Sequence, residues 1–175
     1  MKKTLFFAAL VLLSTCCFAQ KNPAVKNAKR YMMAETPDFS AARTAIEEAI
    51  ATAPTAETYY WAGMIGYQEL TQENYNQMLG KGVNQAVAGQ AVVESYDYWL
   101  EADRLAMIPT LDKKGREVVD TKTRANITKK MLEYYKQQEL VKYGIYLNEQ
   151  RDFEGAYKVF KKHIEIPELD MMQNE

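Results

Sequence analysis

An imidazole base for nucleophilic catalysis has one possible source in this chain, because His163 is its single histidine. A relay with a companion histidine, or a zinc site of two imidazoles, is excluded within one copy. Gly80-Lys81-Gly82 has the composition of a phosphate loop. The loop requires Gly-x4-Gly-Lys-Ser/Thr, however, and Tyr75 stands at the first glycine and Gly82 at the hydroxyl residue. Without those residues the backbone amides do not form a cradle, so nucleotide binding is not expected. Glu47-Glu48 and Lys161-Lys162 are adjacent like charges; neighbours on a helix point about 100° apart, which makes these pairs solvated faces rather than a carboxylate dyad or a basic patch. The sequence predicts no catalytic residue, no cofactor and no metal.

What remains is chemistry of contact. Tyr59-Tyr60-Trp61, Tyr96, Tyr98-Trp99, Tyr134-Tyr135, Tyr143 and Tyr146 make an unusually aromatic set. Such rings either pack between neighbouring helices or present large contact area to a partner at low entropic cost, and the sequence leaves both readings open.

Small and large residues at matched intervals define the elements that hold these rings. Leu140-x2-Tyr143-Gly144-x2-Leu147 is followed by Asp152-Phe153, Ala156-x3-Phe160 and Pro167. The second half of this order recurs as Asp38-Phe39-x2-Ala42 with Ala45, Ile46, Ala49, Ile50 and Pro54. The first half recurs in Ala56-Glu57-x-Tyr59-x2-Ala62-Gly63-x2-Gly66-Tyr67, and its partner helix follows late as Ser95-x3-Trp99-x2-Ala102. The set resembles tetratricopeptide repeats, in particular those of exported Gram-negative envelope proteins, over roughly residues 24 to 67 and 90 to 168. The resemblance implies an all-α fold of antiparallel helix pairs stacked as a short right-handed superhelix. Three units are expected, 24–54, 56–107 with an insertion at 71–85, and 121–168.

Within that frame Thr36-Pro37-Asp38 ends the first helix near Glu35, and Ser40 is the expected cap of the second. The third helix is expected to reach about Glu69. Thr71 to Gln85 is then an insertion with partial helix and a candidate contact loop, and Ala86 to Met107 forms the next helix. Ile108 to Asp120 reads as a polar connector. The helix from Thr121 to Leu140 is either kinked near Gln137 or split in two.

In the family the inner wall of the superhelix is lined by set positions of each unit's first helix. Carried over, these are Tyr31 in unit one, Glu57, Tyr60, Met64 and Tyr67 in unit two, and Val141, Ile145 and Asn148 in unit three. The resemblance places His163 in a small packing slot, which makes it a partly buried structural residue. Glu94-Ser95 is similar to the acid pair of helical lytic transglycosylases, but their Gly-Leu-Met-Gln segment is missing, and Ser95 fills a helix-crossing slot instead.

The first 19 residues form a secretory signal by composition, with Lys2 and Lys3 ahead of an apolar run from Leu5 to Leu13 and small residues before a cut after Ala19. The run is too short to span a bilayer. Leu13-Ser14-Thr15-Cys16 also resembles a lipoprotein box, which would make Cys16 a lipid anchor at the membrane; Thr15 fits that box poorly, so the soluble product is preferred. Both cysteines, Cys16 and Cys17, fall in this segment, leaving the domain of 20–175 without thiols. Removing Lys2 and Lys3 from 22 basic residues leaves 20 against 23 acidic ones, a charge of about −3 that offers no field for nucleic acid.

These observations lead to a periplasmic or secreted interaction scaffold that binds an envelope protein or peptide on its concave face. The alternatives are a glycan-binding or outer-membrane-assembly lipoprotein using exposed aromatics and, further off, a carboxylate-dependent cell-wall hydrolase. Pro167 to Met172 follow the last unit without a polar capping helix, so a partner or second copy is expected to cover that end unless the array continues.

Overall fold

The computed structural model describes residues 22–173. The signal segment and Cys16 lie outside the described residues. The fold is all-α. Its helices are α1 (Pro23–Met32), α2 (Phe39–Thr52), α3 (Ala56–Met78), α4 (Gln85–Ala106), α5 (Thr121–Gln137), α6 (Glu139–Glu149) and α7 (Phe153–Glu165), with a hairpin of β1 (Thr110–Leu111) and β2 (Glu117–Val118) between α4 and α5.

Helix starts follow from side-chain caps. Asn22, Asp38, Thr55, Asn84, Asp120 and Asp152 each accept a backbone N–H two or three residues ahead, satisfying donors that the helix itself leaves open. Asp38 rather than Ser40 caps α2, taking the Ala41 N–H at 2.9 Å; Phe39 is already helical, which places the cap two residues earlier than expected. Thr55 and Thr58 form a reciprocal box, each backbone N–H meeting the other's hydroxyl.

The α3–α4 pair is the centre of the molecule. Gly63 sits beneath Trp99, and Gly66 lies against Ala91 and Ser95; rising residue numbers on one helix meet falling numbers on the other, so the two run antiparallel. Ser95 Oγ lies 2.8 Å from the carbonyl oxygens of both Gly63 and Ala91 and donates across the crossing. Trp99 is fully buried, with Nε1 donating to the Tyr60 carbonyl at 3.3 Å. Its ring centre lies 5.3 Å from Tyr134 of α5 and 6.2 Å from Tyr67 of α3, which joins three helices through one aromatic cluster.

Arg43 ties α2 to this pair. Its guanidinium reaches Glu69 of α3 at 2.5 Å and Glu94 of α4 at 2.7 Å. Burial alone would lower its pKa, but the hydrogen bonds it donates to Glu69 and Glu94 outweigh that and raise it. On the other side, α1 and α2 pack through Ala24, Val25, Ala28 and Met32 against Ala42, Ile46 and Ala49.

Two segments depart from expectation and a third settles an open alternative. α3 continues eight residues beyond Gln68–Leu70 to Met78, because nothing from Thr71 onward breaks a helix until Gly80 and Gly82 take φ of 73° and 79°. The expected insertion is thus two further helical turns and a short bend. The 108–120 connector contains the hairpin, closed by Asp112, which accepts the N–H groups of Lys114 and Arg116. The helix after Thr121 is split rather than kinked: Gln138 adopts φ 54°, ψ 35°, ending α5 and opening α6 without a side-chain cap.

Gly144 at the α6–α7 crossing receives the Phe160 ring. After α7 the chain makes two 3₁₀ turns, Ile166–Glu168 and Asp170–Met172. They fold back on α5, burying Ile166, Met171 and Met172, with the Thr128 hydroxyl near the Met171 carbonyl at 3.4 Å.

Candidate binding site

The residues carried over for an inner wall do not share one surface. Tyr31 is half-buried beneath the Arg30 guanidinium, 5.0 Å from its ring centre. Glu57 is exposed and faces Lys29 at 3.6 Å, and Lys29 in turn sits 3.7 Å over the Trp61 ring. Tyr60 stands edge-on to Trp61; burial raises its hydroxyl pKa, with Lys130 opposing. Met64 is buried in the core. Tyr67 stacks on Tyr134, donates to Glu133 at 2.8 Å and lies under Lys130. All three of those partners belong to α5, which covers this face of α3; neither Met64 nor Tyr67 presents a free wall. Val141 is half-buried, while Ile145 and Asn148 are exposed on α6.

Of this set Ile145 borders a concavity. An open cleft of about 340 Å³ lies between the C-terminal half of α3, the first turns of α4, and α6. Its floor is apolar, from Leu70, Ala88 and Val92. One wall is Tyr143 and Tyr146, with near-parallel rings 6.0 Å apart. The Tyr143 ring rests on Gly89, where a Cβ would come within 1.8 Å of it, so a side chain at 89 would push the ring into the cleft. Burial raises the Tyr143 hydroxyl pKa, and Tyr146 and Asp152 add to it. Glu139 opens α6 with its side chain only 4% exposed, and its Oε1 accepts from Lys142 Nζ at 2.9 Å. Asn74, Gln77, Gln85 and the exposed carboxylate of Glu149 lie at the rim. Sequence reasoning named Tyr143 and Tyr146 as surplus aromatics but had no reason to join them to Gly89, Glu139 and the three carboxamides. The available signal was Gly89 itself, a glycine inside a helix otherwise free to carry alanine.

A second surface lies on α7. Phe153, Tyr157 and Ile164 are 65%, 68% and 66% exposed, and spacings of four and seven residues put them on one stripe. Charges beside it are satisfied within the helix, Lys158 with Glu154 at 2.6 Å and Lys161 with Glu165 at 3.6 Å.

Residues considered for chemistry hold structural places. Glu94 is engaged by Arg43, and Ser95 by the α3–α4 crossing. His163 stacks on Tyr135 at 4.8 Å, with Nδ1 buried and unpartnered. Burial lowers its pKa below the usual 6.5, so the unfolded chain takes up a proton before the native one does. Stability from this site is complete above about pH 6.5 and declines as pH falls toward the native value. His163→Gln should flatten the urea-melt stability profile between about pH 5 and 7; an unchanged slope there would show that His163 does not set it.

Among the described residues no group of three His, Cys, Asp or Glu side chains is placed to hold a metal, and no helix is long and apolar enough to cross a membrane. No protein-family model, curated protein or solved structure matches this chain.

Proposed function

We propose that this chain is a non-enzymatic helical scaffold of the bacterial cell envelope, built from tetratricopeptide-like helix pairs, that binds another protein. The observation that carries the reading is the α7 stripe. Three large apolar side chains on one helix face remain two-thirds exposed, and full burial of such a residue contributes about 1.5–3 kcal/mol. An apolar helix or strand laid along the stripe would gain most of that without breaking a charge pair, because Glu154–Lys158 and Lys161–Glu165 are closed within α7. The repeat-like reading is supported by Gly63, Gly66 and Gly144, each at a helix crossing where a large side chain or backbone fills the space of a missing Cβ. The envelope placement rests on the residue pattern of the first 19 positions.

The test compares the chain with a Phe153→Ser/Tyr157→Ser/Ile164→Ser variant, whose exchanged residues are too exposed to hold the core. Pull-down from an envelope fraction with mass spectrometry should recover a partner with the wild-type chain and lose it with the variant, while helical circular dichroism stays the same. Recovery of the same partner by both would remove α7 as the docking face.

A further inference from the structure

We propose that the cleft between α3, α4 and α6 is a binding site for a neutral saccharide, with one pyranose ring seated on its floor. The first argument is size and shape. A volume of about 340 Å³ stands at the small end of ligand pockets, which run from about 300 to 1,000 Å³ and combine an apolar lining with a few placed polar groups. A pyranose ring has that character inverted, with C–H groups on a flat face and hydroxyls around its edge. Leu70 and Val92 offer the apolar floor, and the parallel rings of Tyr143 and Tyr146 a flat wall.

The second argument is hydrogen-bond capacity. Every sugar hydroxyl both donates and accepts, and so does every carboxamide. Asn74, Gln77 and Gln85 bring three carboxamides to one rim. Glu139 adds a fixed acceptor: Oε1 bonds Lys142, which leaves Oε2 to accept from a ligand hydroxyl.

Charge decides between ligand classes. An anion would need an unpaired cation, and the cleft's lysine, Lys142, is held by Glu139 at 2.9 Å. A cationic ligand finds the buried carboxylate already compensated by that bond, and the cleft's other carboxylate, Glu149, is exposed and solvated at the rim. The floor therefore offers hydrogen-bonding groups rather than an unpaired charge, and putrescine is the control for attraction to Glu149. The site is separate from the α7 stripe, and neither reading requires the other.

Titration calorimetry of the purified chain with maltotriose, cellotriose, mannotriose and triacetylchitotriose, with inorganic phosphate and putrescine as charged controls, tests the assignment. At least one trisaccharide should bind at about millimolar concentration or below. Gln77→Ala/Gln85→Ala exchanges two exposed residues and should weaken it about tenfold, as should Tyr146→Ala. Circular dichroism shows whether each variant stays folded, and the exposed-rim variant remains decisive if Tyr146→Ala does not. Absence of saccharide binding, preference for either charged control, or equal binding by the folded rim variant would each overturn the proposal.

Discussion

Trp99→Ala lowers the unfolding free energy by about 3–5 kcal/mol, the range for deleting a fully buried large aromatic. For a chain of this size that corresponds to a melting point about 6–20 °C lower. The indole is completely enclosed, and its loss empties the space shared by Gly63, Tyr67 and Tyr134. Collapse into the void is opposed from both sides. Gly63 has no side chain to move in, and Tyr67 is anchored through its hydroxyl to Glu133. The Tyr60 carbonyl also loses its indole donor. Urea denaturation followed by circular dichroism measures the loss, with Trp61 left as the single tryptophan. A change below about 1.5 kcal/mol would mean that the three-helix cluster relaxes around the gap and is not the keystone of the fold.

Gly66→Leu is the second large effect, expected at about 3 kcal/mol or above. On an open helix surface, replacing glycine by alanine gains about 1 kcal/mol. At position 66 even that first carbon would stand 2.4 Å from the Ala91 carbonyl oxygen and 2.5 Å from Ser95 Oγ. The nearer atom is backbone and cannot swing aside, so α3 and α4 must part, and the Ser95 hydroxyl loses its hold on Gly63. Gly66→Ala should therefore reverse the usual sign and destabilise by about 1–2 kcal/mol net. Thermal melts of both variants check the pair of values; a stabilised alanine variant would show that the two helices are not locked at this crossing.

Those two positions also show what the sequence made legible. Gly63, Gly66, Ser95, Trp99 and Gly144 were recognisable as crossing residues because close packing demands a small residue opposite a large one, a local pattern that spacing reveals. A break near Gln137 was legible, but not whether it kinks or splits the helix, since a left-handed backbone at a residue other than glycine, as at Gln138, leaves no mark in the sequence. The length of α3 was underestimated because Thr71–Met78 is polar and carries little periodicity, and a helix needs no periodicity where it is not buried. Two-residue strands such as β1 and β2 are too short to leave an alternating pattern. The carried-over wall residues illustrate the same limit: α5 inserts beside the second pair, and spacing within α3 cannot report that Tyr67 meets Glu133 and Tyr134. The cleft was illegible for a related reason. Asn74, Gly89, Glu139 and Tyr146 belong to three helices, and only the tertiary arrangement makes them neighbours.

The junction at Gln138 has a consequence for that cleft. α5 is clamped between the aromatic cluster and the folded-back tail, whereas α6 carries Glu139, Tyr143 and Tyr146 away from it. The aperture is consequently set by the direction in which α6 leaves Gln138 together with two close seats, Tyr143 on Gly89 and Phe160 on Gly144, so an evolving sequence can reshape the mouth from positions that never touch what it holds.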